Sequence, residues 1–97
     1  MATFIVLFNW TEQGIKNYKD SPSRAEDFNK LVQSLGGRVR EVLYTVGEYD
    51  IVTIADFPDD ETGTAALLQV GALGNVRTHT MRAFSGDEIA NIIRRTG

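Results

Sequence analysis

Residues Val42–Phe57 read VLYTVGEYDIVTIADF, and the fold follows from their pattern. Two apolar, β-branched runs flank Gly47-Glu48. Glycine at the first central position of a two-residue turn is the type II′ signature, because only glycine enters that backbone region without strain. The run therefore folds back on itself. Val46 faces Tyr49, Tyr44 faces Ile51 and Val42 faces Thr53 on one side of the hairpin; Leu43 and Val52, with Thr45 beside Asp50, occupy the other. Large apolar residues on both sides imply that both sides are covered.

Working outward, TFIVLFN (residues 3–9) is a strand with Phe4, Val6 and Phe8 on one face and Ile5 and Leu7 on the other. Such two-faced apolarity marks a central strand. Thr11 caps a short turn that runs through Tyr18. Ser21-Pro22 then reads as the cap and first residue of a helix. The helix's apolar stripe is Ala25, Phe28, Leu31, Val32 and Leu35, and Gly36-Gly37 ends it. Strands are expected over residues 38–46 and 49–57, on either side of the turn. Asp59-Asp60 opens a second crossing helix, rich in small residues (Ala65, Ala66, Gly71, Ala72) that permit close packing and closed by Gly74. Residues 75–84, NVRTHTMRAF, form a last strand, with Val76, Thr78, Thr80 and Arg82 on one face and Arg77, His79, Met81 and Ala83 on the other. Ser85 and Glu88 form a capping box ahead of Ile89, Ile92 and Ile93.

The order is β-α-β-β-α-β with a C-terminal helix, an α+β chain of the ferredoxin-like type with an antiparallel sheet. Residues 1–97 read as one domain. Both crossing helices of such a fold lie on one face, so the apolar opposite face calls for a second sheet. A homodimer or higher homo-oligomer, sheets face to face, is the expected assembly.

The chain is 42% hydrophobic and 24% charged, carries a net charge of −3 and lacks cysteine. Those values exclude disulfides, thiolate metal sites and thiol nucleophiles. They argue against nucleic acid as a partner, since no basic stripe is present. No apolar run is long enough for a membrane span, and Met-Ala-Thr before a strand does not resemble a signal peptide. A cytoplasmic location and the absence of any cofactor or metal are the expectations.

The residues resemble a known family. Gly47-Glu48-Tyr49-Asp50 matches the Gly-x-Tyr-Asp signature of the GYD domain proteins, and the likeness extends through TFIVLFNWTEQGIKN, DSPSRAEDF, LGGRVREVLYTVGEYDIV and ALGNVRTHTMRAFS. The resemblance implies a small dimeric α/β-barrel protein and leaves its biochemical role open. A looser likeness, through Thr45-Val46-Gly47-Glu48-Tyr49-Asp50, is to the effector-binding domain of the Lrp/AsnC regulators, where that hairpin lies near a small-molecule site between subunits. The DNA-binding half of those regulators is absent from these residues.

The candidates for ligand binding are Asn9, Trp10, Tyr44, Tyr49, Asp50, Thr78, His79, Thr80 and Arg82. Asn9 and Trp10 end the first strand beside a loop. Tyr44 and Tyr49 are expected to face one interface. Asp50 is expected to accept hydrogen bonds from backbone N–H groups or an arginine, because a bare buried carboxylate is costly. His79 is the sole histidine and has no clustered ligand partner at metal spacing. Arg82, on a face with Thr78 and Thr80, offers a bidentate fork to a carboxylate or phosphate if that face lines a dimer cavity, or else pairs with Asp50 or Asp56. The sparse inventory of nucleophiles and bases favours a non-enzymatic homo-oligomeric assembly or small-molecule-binding module. The alternatives are a cofactor-independent enzyme, monooxygenase- or isomerase-like, acting on a hydrophobic substrate in the barrel cavity, and a stand-alone effector sensor.

Overall fold

The computed structural model describes residues 1–97. Four strands, β1 (Ala2–Trp10), β2 (Arg38–Tyr44), β3 (Ile51–Phe57) and β4 (Val76–Ala83), form one antiparallel sheet in the order β2-β3-β1-β4. This is the ferredoxin-like topology that the sequence implies. The register pairs Val42 with Thr53, Leu43 with Val52 and Tyr44 with Ile51, as the hairpin pattern requires. The regular ladder stops there: both strands are shorter at the turn than expected, and Thr45 and Asp50 keep one backbone bond of 2.9 Å. Gly47 takes φ 139°, in the region glycine alone enters freely, at the tip of this looser connection.

A short helix α1 (Glu12–Lys16), capped by Thr11, and a single 3₁₀ turn (Tyr18–Asp20) lead into α2 (Ser21–Ser34). The cap position before α2 is Asp20, one residue earlier than expected, so Ser21 lies inside the helix, buried, with its hydroxyl free to serve a neighbour. Helix α3 (Asp60–Ala72) is capped by Asp59, whose side chain accepts from the Thr62 N–H at 2.7 Å. The capping box of α4 (Gly86–Arg94) forms as read, with Ser85 and Glu88 satisfying each other's backbone N–H groups.

The core lies between the helices and one sheet face. Ala2, Phe4, Val6 and Phe8 of β1 and Ile51, Ala55 and Phe57 of β3 pack against Phe28 and Val32 of α2 and Ala66 of α3. Phe4 meets Phe57, and Phe8 meets Phe28, edge to face with centroids 5.6 and 5.9 Å apart. Each such buried side chain is worth about 1.5–3 kcal/mol before entropy is subtracted. Close approach of α3 depends on Gly63, where a Cβ would lie 2.8 Å from Phe4 Cε2, and on Ala66. Ala65, Gly71 and Ala72, read from sequence as packing residues, are exposed, because helical phase turns them to solvent.

Candidate functional site

Helix α3 packs tightly on the sheet at its N-terminal end. Val70 lies towards its C-terminal end and Leu73 just beyond it. Between them, α2 and the sheet lies a cavity of about 520 Å³. Its walls are mainly apolar and aromatic: Phe8 and Trp10 of β1, Phe28 and Leu31 of α2, Val42 of β2, Ile51 of β3 and Val76 of β4. Two buried polar residues also line it. Ser21 shares a 3.0 Å hydrogen bond with the Tyr44 hydroxyl. Thr53, only 1% exposed, sits at the middle of β3. Arg24 and Asp27 line the cavity from α2. The Arg24 guanidinium is held by the carbonyls of Asn17 and Gly14, at 3.0 and 3.3 Å. The cavity lies on the helix side of the sheet, the side that Thr78, Thr80 and Arg82 share, and not on the open face. Helix–sheet spacing, which no local pattern reports, places it there.

The strand residues of the opposite face are not covered by α2 or α3. Ile5, Leu7, Val52 and Ile54 are half-buried along its centre, and Leu43 and Met81 are 50% and 47% exposed. At one end, a bulge between Val39 and Glu41 adds a residue to β2. It brings Arg38 and Arg40 together on Asp56, each 3.1 Å from its Oδ2, while the Thr3 hydroxyl donates to Oδ1 at 2.6 Å. Burial alone would raise the Asp56 pKa. The hydrogen bonds from Thr3 and Arg38 and the charges of Arg40 and Arg38 outweigh it and hold the carboxyl below its usual range.

The nine candidates do not converge on one point; they divide between the two faces. Trp10 lines the helix-side cavity and contacts Tyr44, with ring centroids 6.5 Å apart. Its indole Nε1 is buried without a hydrogen-bond partner. Tyr49 turns away from Tyr44 and packs edge to face on His79, centroids 5.5 Å apart, where the sequence implied that both tyrosines face one interface. Tyr49 lies beyond the end of the ladder, so strand alternation does not govern it.

Asp50 accepts from the Trp10 backbone N–H at 2.8 Å, the structural role expected of it, and its own N–H donates to the Phe8 carbonyl. Asn9 donates to the Glu48 carbonyl at 2.7 Å, so these two side chains tie the β2–β3 loop to the end of β1. Thr78 and Thr80 lie opposite Phe8 and Val6 on the helix side of β4. Arg82 shares that side. It bonds Asp60 at 2.9 Å and the Thr3 and Ala83 carbonyls, and lies 4.6 Å from the Phe84 ring centroid. The partner is thus Asp60, not Asp50 or Asp56. A salt bridge to a residue 22 positions away in another element is set by packing alone.

Sequence reasoning overlooked Ser21, Arg24 and Thr53 at the cavity and the Arg38–Asp56–Arg40 cluster. Only Thr53 left a signal, as a polar residue in the middle of a strand face otherwise occupied by Val42, Tyr44 and Ile51.

The model of the GYD domain matches residues 4–93. The chain belongs to the GYD domain family. A relative from Thermus thermophilus, "Glutamine synthetase and cystathionine beta-lyase binding protein", is 32% identical over 96 residues, covering 98% of each chain. Among solved structures, TTHA0845 from Thermus thermophilus superposes with a TM-score of 0.57 at 26% identity, over 89% of this GYD chain and 96% of that one. The feast or famine regulatory protein Rv3291c of M. tuberculosis, solved with L-methionine, superposes with a TM-score of 0.67 at 16% identity. This GYD domain spans 51% of that chain, and at such identity the likeness concerns the fold.

Proposed function

We propose that this GYD protein is a non-enzymatic binding module that works as a homodimer, with two open sheet faces closed on each other, and docks on other proteins through the surface left outside. The observation that carries the reading is the apolar open face: Ile5, Leu7, Val52 and Ile54 at its centre, with Leu43 and Met81 half exposed at its flanks. Only 15 of 97 residues are buried in the single chain. Its radius of gyration is 14.5 Å, against about 12.5 Å for a compact chain of this length. A domain this small gains most from burying such a face against its own copy. Helix α4 adds a stripe of Ile89, Ile92 and Ile93, 43%, 36% and 59% exposed, with no buried residue of its own. The relative named for binding glutamine synthetase and cystathionine beta-lyase supports metabolic enzymes as the docking partners.

Sedimentation equilibrium tests the assembly. The parent should sediment as a dimer at micromolar concentration. Ile54→Asp, at the centre of the open face, should shift it to monomer while far-ultraviolet circular dichroism keeps its shape. A folded monomeric parent would remove the reading. Immobilised protein exposed to the two purified enzymes then tests the docking.

A further inference from the structure

The second feature of the molecule lies across the sheet from that face and does not depend on it. We infer that the cavity bounded by the sheet, α2 and α3 is a binding site for a small, uncharged, largely apolar molecule that carries one hydrogen-bonding group, held by the Thr53 hydroxyl and the Trp10 N–H. The volume of about 520 Å³ falls within the range of sites that enclose small ligands, and the lining is apolar with few polar groups, as in such sites.

Thr53 and Trp10 decide the polarity of the ligand. Thr53 is 1% exposed and lines the cavity, as does Trp10, whose buried Nε1–H has no hydrogen-bond partner. A buried N–H left unpaired costs free energy that one hydrogen bond to an acceptor on a bound molecule recovers. The Thr53 hydroxyl and the Trp10 N–H can both donate, so a ketone or amide oxygen satisfies them. Charge is disfavoured. The one cation of the lining, Arg24, already serves the Asn17 and Gly14 carbonyls. Asp27, beside it, is exposed and would repel an anion. A ligand charge placed against Thr53 would lose its hydration without a counter-charge. The aromatic rings of Phe8, Trp10 and Phe28 suit a flat or aromatic body.

The chain has a single tryptophan, Trp10, and it lines the cavity, so binding has an intrinsic reporter. The probe is prodan, a neutral naphthyl ketone whose emission moves to the blue in apolar surroundings. Titrated into the protein, prodan should show saturable blue-shifted emission with one site per chain and quench Trp10. Thr53→Val keeps the shape and removes the hydroxyl, and should weaken prodan about tenfold. The same change should leave unaltered the binding of the analogue in which the ketone is reduced to a methylene. Val70→Phe, which fills the cavity from α3, should weaken both dyes, with circular dichroism reporting its fold. Leu43→Asp, on the open face, should weaken neither. Absence of a saturable prodan signal with the parent would overturn the inference. So would a loss of binding in Leu43→Asp with none in Val70→Phe, since that places the dye on the open face. Equal loss of the two dyes in Thr53→Val would overturn the role of the hydroxyl.

Discussion

Replacing Asp50 tests whether the signature residues of the hairpin hold the fold or serve a ligand. The Asp50 carboxylate accepts from the Trp10 N–H at 2.8 Å, across 40 residues of sequence. The backbone bonds from the Asp50 N–H to Phe8 and from the Thr45 N–H to Asp50 remain in Asp50→Ala and Asp50→Asn, so only the side-chain bond changes. In Asp50→Ala a half-buried N–H is left without its charged acceptor, which costs about 2 kcal/mol. In Asp50→Asn the amide oxygen still accepts, without the charge, and the loss should be about half as large. For a domain of this length, 2 kcal/mol lowers the melting temperature by roughly 10 °C. Urea melts followed by Trp10 fluorescence and by circular dichroism, at one fixed protein concentration, give both values. An Asp50→Asn protein more stable than the parent would refute the structural role. It would mean that the carboxylate is kept at a cost to stability, as residues serving ligands are.

Two further outcomes follow from the geometry. Gly47 sits at φ 139° with open space around it, so Gly47→Val should cost about 1–3 kcal/mol through backbone strain alone, whereas Glu48→Ala, which keeps the carbonyl that Asn9 binds, should be nearly neutral; the two melting temperatures check this. The Asp56 carboxyl titrates below its usual value in the folded chain, so its contribution is complete above the unfolded-state pKa and is lost as the pH falls through the folded one. Denaturant midpoints from neutral pH into the acid range should therefore fall more steeply for the parent than for Asp56→Asn. Asp59 and Glu88, also lowered, act alike in both proteins and cancel from the difference.

Local pattern determined much of this molecule. Alternation along Phe4–Phe8, Val42–Tyr44 and Ile51–Phe57 was enough to predict these strands, their faces and the hairpin register, though not where the ladder stops short of the turn, because period-two side-chain placement leaves one register that buries the apolar set. Thr11, Ser85 and Glu88 announced their helices because caps act within four residues. The site was less legible. Tyr44 and Tyr49, five positions apart, part company because the ladder ends between them, and Arg82 finds Asp60 only once α3 lies beside β4. The bulge in β2 that sets Arg38 and Arg40 on one carboxylate has no turn residue to mark it. The cavity under α3 is decided by how far a helix stands from a sheet. Gly63 and Ala66 let one end of α3 sit close on the sheet, and Val70 and Leu73 line the cavity at the other, beside strands distant in sequence. Local preference is a property of neighbouring residues in the chain, while a cavity is a property of surfaces that fail to meet, and only the assembled fold brings those surfaces together.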